Sequence, residues 1–153
     1  SGVSANQRWK FIHSRDDDFK TIFNLIPKKV DVIYIDSLHE ANHVEKLIYN
    51  YYEKLKEGGY IFIDDISHLL YLKNKPRSNF YCEINNKETF DRILEIYNSN
   101  RSLFDLNFSF KSSGLGIIKK ISNLPLKKNE IITTRIFSFK NIVRLIWKKI
   151  KKD

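Results

Sequence analysis

The sequence of this 153-residue chain predicts an α/β fold, with a mostly parallel sheet that ends in an antiparallel carboxyl-terminal hairpin. Two observations predict this class. Short apolar runs that suit buried strands alternate with stretches whose apolar residues recur every three or four positions, as in helices. The helical stretch around residues 90–97 is followed by two strand-like segments joined by a Ser-Ser-Gly turn, which is typical of a hairpin.

The first predicted strand is Lys10–Ser14. Three aspartates follow it at 16–18, where carboxylates suit the positive end of a helix. That helix is predicted through Phe19–Ile26, because its apolar residues have helical spacing, and Pro27 ends it. Residues 31–36, DVIYID, form a continuous apolar run bounded by carboxylates, which predicts a strand buried on both faces.

An amphipathic helix is predicted over 40–57 and is expected to stop at Gly58-Gly59. Residues 60–65, YIFIDD, predict a second buried strand that ends in acid. A polar loop containing Pro76 leads to a third helix, whose apolar face includes residues 90–97.

Alternating apolar and polar residues predict a half-buried strand over 104–110, and GLGIIKKI (114–121) is predicted to be its hairpin partner. We therefore expect a domain over 1–121, followed by a basic amphipathic tail over 122–153.

The net charge of +9 is concentrated in the carboxyl-terminal part of the chain. From Lys119 to Asp153 there are 11 basic and 2 acidic residues, whereas the first 118 residues have a net charge of zero. A single cysteine, Cys82, excludes an internal disulfide framework, which favours a reducing, cytoplasmic environment. The chain contains no methionine, and we expect it to be a fragment or a processed piece.

Acidic residues follow two neighbouring predicted strands, at the edge of the sheet where ligands bind in open α/β folds. Asp36 follows the first of these strands, and Asp64 and Asp65 end the second. Clustered carboxylates suit a hard cation such as Mg²⁺ or Ca²⁺ better than zinc. The alternative is that these aspartates only cap the turn or helix that follows each strand.

The segment DVIYIDSLHEANHVEKLIYNYYEKLKEGGYIFIDDI resembles the class I S-adenosylmethionine-dependent methyltransferases. It is most similar to the metal-dependent O-methyltransferases of the catechol and macrocin type, in which strand-end aspartates flank a helix and a Gly-Gly pair. The segment FDLNFSFKSSGLGIIKK also resembles the terminal hairpin of that family, and the resemblance covers roughly residues 10–120.

This resemblance implies a Rossmann-like sheet, and methyl transfer from S-adenosylmethionine to a hydroxyl of a small molecule such as a sugar or a phenol. It implies that Asp36, Asp64 and Asp65 hold the metal, Mg²⁺ or another divalent cation, and that Ser14, Arg15 and Asp36 belong to the cofactor site. His39 is the implied general base, since catechol-type relatives have a lysine base at this position. In macrocin-type relatives the base is an aspartate, at the position of Leu38 here.

The glycine-rich cofactor loop of the family has no counterpart, because none of the five glycines opens a helix after an apolar strand. The first two strands of the family's sheet are also missing, so Lys10–Ser14 lacks its neighbours. We therefore expect the full-length parent to be the methyltransferase and this chain alone to be inactive.

HEANH (39–43) also matches the H-E-x-x-H signature of zinc hydrolases, which leaves such an enzyme as an alternative. His39 comes only three residues after the strand-end Asp36, at the very start of the helix, rather than mid-helix facing a cleft. Two further histidines, His13 and His68, are expected to be structural more often than to border the site.

The tail segment 139–152 places apolar residues on one helical face and lysine or arginine largely off it. This pattern fits a helix on an anionic membrane surface, but it equally fits one docked on the domain or on a partner subunit, such as a second copy in a homo-oligomer. Specific nucleic-acid binding is not expected, since no recognisable motif supports it. The main rival to an enzyme is therefore a non-catalytic binding module that this helix attaches to a membrane or a partner.

Overall fold

The computed structural model describes residues 9–67, 80–128 and 139–150. Predictions for the loop around Pro76, for His68 and for the last two lysines concern residues outside these ranges. The helices are α1 (Phe19–Leu25), α2 (Ala41–Lys54), α3 (Phe80–Ser99) and α4 (Phe139–Ile150), and the strands are β1 (Val30–Ile35), β2 (Leu55–Asp64), β3 (Phe104–Ser109) and β4 (Leu115–Lys120).

The four strands form one sheet in the order β1-β2-β4-β3. β1 and β2 are parallel, and β4 runs antiparallel to both of its neighbours. Three of the four strands therefore point the same way, and the final hairpin supplies the strand of opposite direction. This arrangement confirms the predicted fold class.

The core lies between one face of the sheet and the helices α2 and α3. On the sheet side Ile61, Ile63 and Ile118 are fully buried. Aromatic contacts join α3 to β3, since the rings of Phe90 and Phe108 lie 4.7 Å apart. Because side chains alternate along a strand, the opposite face carries Val32 and Tyr34, which are 56% and 58% exposed.

The predicted strand at Lys10–Ser14 is wrong. Residues 9–13 have no regular secondary structure, and Trp9 and Phe11 are exposed. A strand persists only where a neighbour satisfies its backbone amides and carbonyls. Within the described residues, β1 is hydrogen-bonded to β2 alone, so the sheet presents no partner to this segment.

The predicted end of the second helix is also wrong, because α2 ends at Lys54 and β2 begins at Leu55. Gly58 and Gly59 lie inside β2, at a register shift against β1. Gly58 has φ +80°, and a Cβ on Gly59 would lie 2.7 Å from the Asp31 carbonyl oxygen. The pair therefore permits an irregularity in β2 and a close backbone approach, instead of ending the helix.

The acidic start of the first helix is confirmed in part. Asp18 is the N-cap of α1, and its Oδ1 accepts a hydrogen bond of 3.3 Å from the Thr21 amide. Asp16 and Asp17 are instead bonded to residues of α2. Two of the three aspartates thus tie the loop before α1 to the next helix.

Candidate functional site

The site is built where the parallel strands β1 and β2 end. Ile35 pairs with Ile63, so the residues that follow, Asp36 and Asp64, reach the same edge of the sheet. Asp65 comes next, with φ 57°, in the left-handed region that non-glycine residues rarely adopt. The parallel register thus brings together the three carboxylates that the sequence singled out.

Asp64 is held by three hydrogen bonds. Its Oδ2 accepts one of 3.0 Å from the Tyr34 hydroxyl. Its Oδ1 accepts one of 2.8 Å from the Ser113 hydroxyl and one of 2.8 Å from the Asp65 amide. This carboxylate joins β1, β2 and the β3–β4 turn.

These bonds set the charge state of Asp64. Burial acts to raise the pKa of Asp64, but the bonds from Ser113, the Asp65 amide and Tyr34, together with nearby His39, lower it overall. The bond to Asp64 also raises the pKa of the Tyr34 hydroxyl. Asp64 is thus a carboxylate, and Tyr34 a neutral donor, at neutral pH.

His39 lies between the other two carboxylates. Its Nε2 is 3.3 Å from Asp65 Oδ2 and 3.6 Å from Asp36 Oδ1. The side chains of His39 and Asp65 are 31% and 36% exposed, so the cluster is open to solvent. A carboxylate beside one ring nitrogen fixes the orientation of the imidazole.

A second cluster lies at the first turn of α2, four residues after His39 along the chain. His43 Nε2 is 3.0 Å from Asp16 Oδ2, and the Tyr51 hydroxyl donates a hydrogen bond of 2.8 Å to the Asp16 carbonyl oxygen. Burial acts to raise the pKa of Asp16, but the adjacent Ser37 hydroxyl and His43 lower it overall. Because Ser37 directly follows Asp36, this cluster borders the first.

The two histidines of HEANH therefore belong to different clusters. His39 precedes α2, which begins at Ala41, whereas His43 is buried in its first turn and bonded to Asp16. A zinc hydrolase needs both histidines on one helical face directed at one ion. The structure does not provide that arrangement in the HEANH segment.

Ser14 and Arg15, the predicted cofactor-site residues, bind neighbouring aspartates. The Ser14 hydroxyl donates a hydrogen bond of 3.1 Å to Asp18, and Arg15 Nε lies 3.0 Å from Asp17 Oδ1. The Arg15 side chain is 77% exposed. Asp16, the next residue, contacts His43 on α2, so Ser14 and Arg15 lie on a segment that borders the site. Their role in binding the cofactor stays a prediction.

The described residues contain no group of three or more histidine, cysteine or acidic side chains arranged to hold a metal ion. Two carboxylates do converge, because Asp36 and Asp65 both approach His39 Nε2. Mg²⁺ is commonly bound by one or two carboxylates, with waters completing its shell. Asp36 and Asp65 have ligand atoms of the type that suits this ion, and their metal role stays a prediction, whereas both oxygens of Asp64, the third predicted ligand, already accept hydrogen bonds.

Sequence reasoning missed Tyr34 and Ser113. The apolar run around Tyr34 predicts a strand buried on both faces, which is wrong because Tyr34 is 58% exposed. At Ser113 the sequence predicts only a turn. A signal for Tyr34 exists, because it lies two residues before Asp36, and alternate residues of an extended chain share a face. Nothing in the local sequence around Ser113 indicates that the turn returns to Asp64.

Comparisons with known proteins give a family for part of the chain and a fold for most of it. Residues 3–66 match the model of a methyltransferase domain family. The matched segment contains Asp36, His39, Asp64 and Asp65. No curated protein sequence matches the chain significantly.

Two solved structures share the fold. An SAH-bound methyltransferase of Podospora anserina is similar with a TM-score of 0.58 and 13% identity, over 78% of this chain and 52% of its own. A Staphylococcus aureus protein described as a caffeoyl-CoA O-methyltransferase has a TM-score of 0.52 and 19% identity, over 77% of this chain and 56% of its own. The likeness shows a Rossmann-like α/β fold, and the chain spans about half the length of each.

Proposed function

We propose that a protein containing this chain transfers a methyl group from S-adenosylmethionine to a hydroxyl of a small molecule, such as a sugar or a phenol. One observation carries the proposal: the matched methyltransferase segment holds an acidic cluster around His39, at the strand ends where α/β folds bind ligands. The SAH-bound neighbour supports the choice of cofactor. The O-methyltransferase description of the second neighbour supports a hydroxyl acceptor.

The proposed general base is His39. With its Nε2 proton directed at Asp65, the imidazole keeps Nδ1 as the acceptor nitrogen. When bound, S-adenosylmethionine would supply the methyl group and leave as S-adenosylhomocysteine, and His39 would take the proton that the substrate hydroxyl loses as its oxygen bonds to the methyl carbon. The carboxylates of Asp65 and Asp36 then stabilise the imidazolium.

The proposed cofactor contacts are Ser14, Arg15 and Asp36. The bonds that Ser14 and Arg15 make to the aspartates before α1 hold their segment in place beside the site. This pre-orders the backbone, so that less conformational freedom is lost when a ligand binds.

A divalent cation is a separate part of the proposal. Asp36 and Asp65 would hold Mg²⁺, and Asp64 is the third candidate ligand. When bound, such an ion lowers the pKa of a coordinated hydroxyl. His39, Ser14 and Arg15 do not depend on the ion, whereas Asp36 and Asp65 would contact both the ion and the imidazole of His39.

The test is binding of S-adenosylhomocysteine by calorimetry, on the 153-residue chain and on the product of the complete reading frame. We expect saturable binding by the complete product, with little or none by the chain alone. Asp36→Ala should weaken it, whereas Asp105→Ala, at an exposed position on β3, should not. Absence of binding by the complete product would overturn the proposal.

The metal has its own measurement. Titration of the same product with Mg²⁺ should raise its melting temperature, and Asp65→Asn should remove that rise. If the rise is absent, or unchanged in Asp65→Asn, the metal part fails while the methyl-transfer part stands.

A further inference from the structure

The carboxyl-terminal helix α4 exposes its apolar side chains. Phe139 is 82% exposed and Trp147 is 48% exposed. Four aliphatic residues of the same helix are also exposed: Ile142, Val143, Ile146 and Ile150. They recur every three or four positions, so they form one apolar face along the whole helix.

The remaining positions of this segment are strongly basic. Between residues 140 and 152 the sequence contains six lysine or arginine residues and no acidic residue. An apolar face beside a basic one is the pattern of helices that lie in the interface of an anionic bilayer, with tryptophan at the level of the headgroups.

The length of α4 excludes a spanning role for it. Twelve helical residues extend about 18 Å, whereas the hydrocarbon core of a bilayer is about 30 Å thick. Across the parts of the chain that the structure describes, no helix is long and apolar enough to cross a membrane. A bilayer can therefore cover the apolar face of α4 only if the helix lies along the membrane surface.

We propose that α4 is a membrane-surface helix that binds anionic lipid bilayers. Charge distinguishes between the three surfaces that could cover this apolar face: the globular part of the chain, a second copy of the chain and an anionic bilayer. The first 118 residues have a net charge of zero, so they offer no excess negative charge to the tail. A second copy of the chain brings the same basic tail and repels it, whereas an anionic bilayer supplies both the negative charge and an apolar layer.

The two tryptophans of the chain, Trp9 and Trp147, make a direct measurement possible. Trp9→Phe leaves Trp147 as the only indole, and the matched Trp147→Phe leaves Trp9, which is 71% exposed. Phosphatidylcholine vesicles with and without phosphatidylserine are added to each variant. We expect the emission of Trp147 to shift to the blue only with phosphatidylserine, and that of Trp9 to stay unchanged.

The charge contribution is measured by vesicle sedimentation. Each basic residue near an anionic surface contributes about 1 kcal/mol, so Lys148→Gln with Lys149→Gln should lower partition roughly 30-fold. The matched control, Lys20→Gln with Lys28→Gln, removes the same charge from two exposed positions of the globular part and should change partition little. Raising the salt to 1 M should weaken the wild-type interaction.

The apolar contribution is tested with Ile146→Asp, which should abolish the blue shift. Because Ile146 is 55% exposed, this change should leave the melting temperature of the protein unaltered, so loss of binding is not loss of folding.

Three outcomes would overturn the proposal. The first is no partition onto anionic vesicles. The second is equal partition onto neutral vesicles that the lysine substitutions do not change. The third is a Trp147 emission that does not respond to vesicles. If the emission is already blue-shifted without vesicles, protein covers the helix. If it shifts with RNA and not with vesicles, nucleic acid is the partner. The proposal is independent of methyl transfer.

Discussion

The Tyr34 hydroxyl donates a hydrogen bond of 3.0 Å to Asp64 Oδ2, across the parallel pair of strands β1 and β2. This bond fixes one of the three strand-end carboxylates. The three carboxylates at this edge thus have two kinds of partner. Asp64 is hydrogen-bonded to Tyr34 and Ser113, whereas Asp36 and Asp65 converge on His39.

Tyr34→Phe is expected to raise the pKa of Asp64, because one of the bonds that favour its carboxylate form is lost. The measurement is a pH titration of the Asp64 carboxyl carbon by NMR. The matched control is Tyr60→Phe, the same change to a ring on the adjacent strand that stacks on Phe62. An Asp64 pKa that moves equally in both variants would show that the Tyr34 bond does not control it.

His39→Gln is expected to reduce methyl transfer by the complete protein by about 10² to 10⁴-fold, the usual contribution of a general base. The dissociation constant of S-adenosylhomocysteine should stay the same. The control is His43→Gln, which alters the other histidine of HEANH and its bond to Asp16. We expect it to lower the melting temperature but not the activity per folded molecule, and the reverse pattern would exclude His39 as the base.

Lys46→Ala is expected to raise the pKa of Asp17. The hydrogen bonds from Arg15 and then Lys46 lower that pKa from its ordinary value of 3.8 to about 2. A carboxyl with a lowered pKa stabilises the folded state fully above its unfolded pKa, and the contribution is lost as the pH falls through the folded pKa. The variant should therefore lose less of its unfolding free energy between pH 4 and pH 2, as measured by urea denaturation.

The control for that experiment is Lys54→Ala, on the same helix but over the Phe23 ring. It lies about 12 Å further along α2 than Lys46, so the pKa of Asp17 should not change. Equal acid sensitivity of wild type and Lys46→Ala would refute the assignment.

Lys120→Ala is expected to lower the free energy of unfolding by about 2–4 kcal/mol. The buried ammonium donates hydrogen bonds of 3.0 and 2.8 Å to the carbonyl oxygens of Tyr52 and Leu55, at the carboxyl end of α2. The matched change is Lys29→Ala, because exposed Lys29 donates to the Glu53 carbonyl at the same helix end. That change should cost less than about 1 kcal/mol, since water can replace the bond, and equal losses would show that burial does not matter here.

Gly114→Ala is expected to destabilise the fold more than Gly58→Ala. Both glycines have positive φ, of +85° and +80°, so the backbone strain is similar. A Cβ on Gly114 would lie 2.4 Å from the Ser67 amide nitrogen, whereas one on Gly58 meets nothing within 4 Å. We expect about 1–2 kcal/mol for Gly58→Ala from strain alone, and about 1–3 kcal/mol more for Gly114→Ala. Thermal unfolding measures both.

Local pattern in the sequence was sufficient for much of the fold. The alternation of apolar runs with helical spacing predicted the strands that became β1 and β2, and the alternation from Phe104 onward predicted the hairpin of β3 and β4. The basic amphipathic pattern predicted the helix α4. These features follow from the side-chain periods of strand and helix, which each segment carries in its own residues.

The sequence by itself also determined which acids follow the strands, because a carboxylate after an apolar run marks where the buried part ends. Only the tertiary structure decided what those acids do. Pairing across β1 and β2 binds Asp64 to Tyr34, and the return of the β3–β4 turn brings Ser113 to the same carboxylate. The tertiary structure likewise left Lys10–Ser14 without a strand, and it bound His43 to Asp16 instead of directing it, with His39, at one ion. Contacts of this kind join residues distant along the chain, so the period of a single segment cannot encode them, and the register of the sheet has to form first.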